Sequence, residues 1–264
     1  MHRLTQISRA GFASAMISLG VMGLMFRDFP AIWGALPGGN PGGATLASIA
    51  AILALAIGIG LVIPRMAAAA SLTFFIYAAL WWVVLQVPPV LQQPGTEGTW
   101  LDCGMYAMLV IGAWTLYTVS GDHRFPGDER GRNLARQLFG LALIPVGISH
   151  FVYVSLTTPL IPAWIPFHLG WAYFTGACHL AAGLGLLFGV LPRLAAQLEA
   201  AMLGIFTVLV WVPAVITAPG TRFNWTELWL SWALTVATAV VALHTSSRHA
   251  QGAQPASPRG HGSA

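Results

Sequence analysis

Lysine is absent from the 264 residues, and all twelve basic side chains are arginines. Only 8% of the chain is charged, against about 25% in a soluble domain, while 56% is hydrophobic. So little charge excludes a water-soluble globular fold, which would have no polar surface to cover its core. Cysteine is nearly missing too: Cys103 and Cys178 stand alone, with neither the CxxC pairing nor the ligand spacing of a zinc or redox site, and read as small buried hydrophobes. No phosphate-binding loop, nucleophile motif or metal motif occurs.

What is present is apolar runs. Crossing the hydrocarbon takes about 20 apolar residues per helix, and eight such runs are predicted, near 10–26, 44–63, 67–90, 101–119, 138–157, 169–191, 195–217 and 226–244. The expected fold is all-α, a polytopic membrane protein with eight transmembrane helices. The first run follows His2, Arg3 and Arg9 and shows no small-residue cleavage site before Arg27, so it reads as a retained helix. Threading the runs in order puts ten arginines on one side and leaves Arg27 and Arg222 on the other. That asymmetry predicts cytoplasmic N- and C-termini, and the net charge of +4 then follows the lipid bilayer as partner rather than nucleic acid.

The chain also repeats itself. "VPPVLQQPGTEGTWLD" (87–102) aligns without a gap with "VPAVITAPGTRFNWTE" (212–227) at an offset of 125; "IPRMAAAASL" aligns with "LPRLAAQLEA" at 128, and Arg9 with Gly20 meets Arg136 with Gly147 at 127. The expectation is two parallel four-helix repeats, 1–120 and 137–245, joined by a charged cytoplasmic linker 121–136 and followed by a disordered cytoplasmic tail 246–264. At these offsets Ser149 and His150 meet Met22 and Gly23, and His179 meets Ala51, so ionisable groups fall only in the second copy.

Those groups set the candidate site. His168, Trp171, Thr175 and His179 share one stripe of helix six, and His150 and Tyr153 share a face of helix five. At 1.5 Å per residue His150 lies about 10 Å and His179 about 15 Å from the outer helix ends, so the two can face each other. Ionisable groups inside membrane helices point to the bundle interior or a cavity, and a pocket opening to the outer side is expected. Asp102 and Glu227 begin helices four and eight near Trp100 and Trp225, where a carboxylate complements the helix dipole and indoles anchor at the interface. Pro159, Pro162 and Pro166 are expected to stop helix five and keep the following loop extended. The repeated Pro88 and Pro213 suggest a shared bend. Arg27 and Asp28 read as a solvated or interfacial pair.

Several roles stay open for the histidines. A hydrogen bond between helices is sufficient reason for them. An imidazole also binds a quinone carbonyl or passes a proton, with Tyr153, Trp171 and Tyr173 as flat walls. Haem ligation rests on one candidate pair and has little support, and zinc lacks a fourth ligand.

Arg136, Gly140, Gly147 and His150, followed by Thr175-Gly176, His179, Gly183, Gly185 and Pro192-Arg193, resemble the DoxX-like family of small four-helix bacterial membrane proteins. The resemblance covers about 110 residues of the second half and departs where many members carry an acid in place of His179. It implies the four-helix unit, a bacterial cytoplasmic (inner) membrane location and, because the family includes a subunit associated with thiosulfate:quinone oxidation, a redox accessory holding a quinone-like ligand. His150, Tyr153, His168, Trp171, Thr175, His179 and Glu227 are the ligand-binding candidates, and no residue is assigned to a metal or to catalysis. Another membrane or redox protein is the expected partner. A carrier of small solutes using the repeats as rocking units, and a structural or chaperone-like partner packing through small-residue stretches such as "AIGIG" and "AAGLG", are the alternatives.

Overall fold

A computed structural model of the chain describes residues 2–29, 43–120 and 129–245. Among the described residues the structure is helical without strands, and eight helices are long and apolar enough to cross a membrane. They are α1 (His2–Phe26), α2 (Gly43–Val62), α3 (Ala67–Gln92), α4 (Glu97–Ser120), α5 (Glu129–Val152), α6 (His168–Phe188), α7 (Pro192–Thr217) and α8 (Arg222–Thr245). The protein is an all-α polytopic membrane protein.

Its core is where α1, α4, α5 and α8 meet. α4 crosses α8 at Gly112, where an added Cβ would lie 2.5 Å from that of Ala237, and fully buried Phe12, Leu116 and Phe139 fill the space around this crossing. α1 packs on α2 and α8, and α5 packs on α6 and α4; exchanging each helix with the one four places along leaves this pattern of neighbours unchanged. The most extensive packing is of α1 on α2 and of α5 on α6. Gly140 of α5 lies against the Gly183 carbonyl and the Leu187 backbone, with an added Cβ falling 2.5 Å from the former. Gly140→Leu is therefore expected to pry α5 from α6 and cost about 3 kcal/mol, read as a lowered thermal midpoint in detergent.

The two proline-bearing helices share a defect. Pro88 and Pro213 have no N–H for the helical bond to the carbonyl four residues back, and just before them α3 and α7 widen into π-turns at Trp82–Gln86 and Thr207–Trp211. Val87 N–H bonds Trp82 O and Val212 N–H bonds Thr207 O, five residues back in each case. A wider turn makes room for the ring that a regular helix would exclude. Downstream, Trp100 and Trp225 each donate from Nε1 at 2.9 Å to a loop carbonyl, Pro94 O and Pro219 O, so these indoles close their own loops.

Several boundaries differ from expectation; α4 and α8 begin at Glu97 and Arg222, so Asp102 and Glu227 lie in their second turns rather than at their starts. α5 begins at Glu129, so residues 129–136 of the expected linker are its first two turns, in which Glu, Arg, Asn and Ala are all compatible with helix. Residues 121–128 of that linker and the tail 246–264 lie outside the described residues. α5 also ends at Val152 rather than near 157; after Tyr153 the chain makes a separate turn (Val154–Thr157) and a 3-10 turn (Thr158–Leu160). The proline loop is consequently folded, not extended: Ile161 N–H bonds Thr158 O and Ile165 N–H bonds Pro162 O. Asp28 pairs with Arg222 of α8 at 2.7 Å, and the same guanidinium also bonds Phe29 O. This ion pair ties the end of α1 to the start of α8, whereas Arg27 is exposed.

Candidate functional site

The site grows from the tight α5–α6 contact. Gly176 of α6 sits where an added Cβ would fall 2.7 Å from His150 Cβ, so the absent side chain is what lets the His150 ring lie across α6. Its Nδ1 bonds Val146 O, one turn back, at 3.0 Å. A carbonyl only accepts, so Nδ1 carries the proton and Nε2 of the neutral ring is bare. The His179 ring follows, its centroid 4.9 Å from that of His150. Two imidazoles clasping a haem iron stand on opposite faces of the macrocycle, and that spacing leaves no room for one between them.

Behind His179 stands a residue that the sequence reading passed over. Glu199 of α7 is 1% exposed, as is His179, and its Oε1 lies 2.7 Å from His179 Nδ1, the length of a charge-assisted bond. The other oxygen, Oε2, is buried and has no hydrogen-bond partner among the described residues. Phe206 closes the pair edge-on, 6.0 Å from the His179 ring. A carboxyl two turns inside α7 and buried from its surroundings is costly in a membrane span and needs a reason.

The reason lies beside it. α6 and α7 touch sparingly, and between them runs a cleft of about 1130 Å³, above the 300–1,000 Å³ usual for small-molecule sites. It extends from Ile161 and Trp211 at one end to Phe188 and Leu194 at the other, nearly the height of both helices. Its walls include Phe174 and Leu198, both more than half exposed on the outside of the bundle, so it opens sideways between the helices. The expected outer-side pocket is thus a lateral groove with its polar groups about halfway along. Those groups are His150, Thr175 and Glu199; Trp171, Thr157 and Cys178 also reach it.

Four of the predicted residues gather here: His150, Trp171 and Thr175 on the wall and His179 just behind it. The other three do not. Tyr153 lies beyond the end of α5, so the helical spacing from His150 no longer applies, and its hydroxyl accepts the Gly98 N–H of α4 at 3.0 Å. His168 is the first residue of α6 and is not part of the wall. Glu227 is on α8 and is not part of the wall. Tyr173 stacks on Phe151, centroids 5.6 Å apart, on the outer face of α6. The glutamate was legible, being the carboxyl set farthest inside an expected apolar run.

Helix contacts also correct the register of the repeat. Gly58 packs on Ala13 and Ile17, and Gly183 packs on Gly140 and Ile144, an offset of 125 in the second helix of each set and 127 in the first. His179 therefore takes the place of Ala54, not Ala51. The π-turns fix α3 against α7 at 125 as well, which sets Glu199 where α3 has Phe74, buried against Phe12 with ring centroids 5.1 Å apart. An apolar Ala54/Phe74 arrangement in one half is a His179/Glu199 pair in the other. Tyr77 bridges α3 to α2 by donating to Ala50 O at 2.9 Å; the matching positions, Met202 and Thr175, both line the open cleft.

Among the described residues no three His, Cys, Asp or Glu side chains come together as metal ligands. Comparison with protein-family models, with curated proteins and with solved structures gives no match to this chain.

Proposed function

We propose that the protein binds an amphipathic, quinone-like molecule taken laterally from the bilayer into the α6–α7 cleft, and serves as a membrane accessory to an electron-transfer partner. The observation that carries this reading is Glu199: a deeply buried carboxyl with one oxygen unpartnered, on the wall of an otherwise apolar groove that also exposes His150. Apolar walls suit a ring and tail, and a few convergent polar groups fix a head. The resemblance of the second half to DoxX-like proteins agrees with it. On the same reading the arginine-bearing ends of the helices face the cytoplasm of a bacterial inner membrane, and the two sets of four helices descend from one unit.

The test is mass spectrometry of organic extracts from protein purified in mild detergent. Wild type is expected to carry a quinone-class molecule near stoichiometric amounts, and His150→Ala to retain less than a tenth of it. An extract holding bulk phospholipid alone, unchanged by His150→Ala, contradicts the proposal. One observation favours a second reading, a structural partner for another membrane protein: the apolar window of α7 is only 17% buried, the least of the eight spans. That reading expects function to survive replacement of His150 and His179 by Leu.

A further inference from the structure

The imidazole and hydroxyl hydrogens around the cleft are already committed. His150 Nδ1–H is spent on Val146 O, the Thr175 hydroxyl on Trp171 O at 2.9 Å and the Thr157 hydroxyl on Tyr153 O at 3.2 Å. The proton between His179 and Glu199 lies along the Nδ1···Oε1 line. Whether it sits on nitrogen or on Oε1, Oε2 keeps only lone pairs. At mid-height the residues lining the groove consequently carry acceptors, the buried Oε2 of Glu199 and Nε2 of His150, and no uncommitted oxygen or nitrogen donor; the indoles of Trp171 and Trp211 stand toward one end.

We propose that the cleft selects the reduced, hydroxyl-bearing form of its ligand, a hydroquinone or similar phenol, by accepting its O–H at Glu199 Oε2, with His150 Nε2 as the second acceptor; this rests on the reading of the cleft as a quinone-type site. A quinone presents carbonyls, which would meet acceptors and leave both partners desolvated and unpaired. A hydroquinone satisfies Oε2 and removes the orphan. Hydrogen bonds to charged groups correspond to about 10- to 100-fold in affinity, and sites built to bond a hydroxyl reject analogues lacking it.

The test compares anaerobic dissociation constants of 2-decylhydroquinone, 2-decyl-1,4-benzoquinone and 1,4-dimethoxy-2-decylbenzene for the full chain in lipid nanodiscs. The hydroquinone is expected to bind at least 10-fold more tightly than the other two. In Glu199→Gln the amide carbonyl takes the His179 bond and the NH2 group turns to the cleft, so the preference is expected to vanish or to reverse toward the quinone. The wild-type comparison needs no variant and stands even where Glu199→Gln does not fold. Equal binding of all three, or tighter binding of the quinone, overturns the selectivity while leaving the cleft as an amphipath site. A folded Glu199→Gln with unchanged preference overturns the assignment to Glu199, and no binding of any probe overturns the quinone-type site and the selectivity together.

Discussion

His179→Ala alone is expected to destabilise the protein by about 3 kcal/mol, the lower end of the 3–5 kcal/mol typical for breaking a buried pair, whereas His179→Ala with Glu199→Phe is expected to come within about 1 kcal/mol of wild type or exceed it. The single change leaves a carboxyl that is 1% exposed with neither oxygen bonded. Protonation of that carboxyl relieves part of the penalty, which keeps the cost at the low end. The double change rebuilds what the other half has: Ala54 is fully buried and Phe74 2% exposed. Room for the added ring is supplied by the cleft next to position 199. Buried ion pairs replaced by apolar residues of suitable volume are often neutral or stabilising. Reversible unfolding of the three proteins in one detergent measures the difference, and a double variant no better than His179→Ala alone would count against the matched positions.

How far the sequence discloses this arrangement depends on which interactions make it. Spans are set by composition over some twenty residues, so all eight are legible. Helix ends are not: α5 starts in a stretch with Glu129, Arg130 and Arg132 that hydropathy passes over, yet those side chains do not oppose helix. The facing of His150 and His179 follows from periodicity while both helices are regular. Tyr153 fails because periodicity stops at Val152, where the chain breaks to φ −109° at Tyr153. Repeat register is ambiguous in sequence because the Pro-Arg turns align at 128, while the glycine contacts set the second helix at 125 and the first at 127. The cleft itself is least legible. Met202 lines it at the position where Tyr77 bridges α3 to α2 in the other half, and a void between two sparingly packed helices leaves no periodic trace.

Met202→Trp is expected to close the groove. The indole occupies the mid-height of the cleft and restores an aromatic where α3 carries Tyr77, at a cost of about 1–3 kcal/mol if the fit is strained. Binding of a decyl-quinone probe is expected to fall more than 10-fold, because the ligand competes for the same volume, while His179 and Glu199 stay in place. Loss of binding with an intact fold separates occupation of the cleft from damage to the pair.

Photolabelling with an azido-decylquinone in native-like bilayers, mapped by peptide mass spectrometry, tests the central claim most directly. The label is expected on α6 and α7 between Trp171 and Trp211, to be absent from the matching 46–86 region of α2 and α3, and to be lost in Met202→Trp. Equal labelling of both halves, or labelling that avoids α6 and α7, would contradict it.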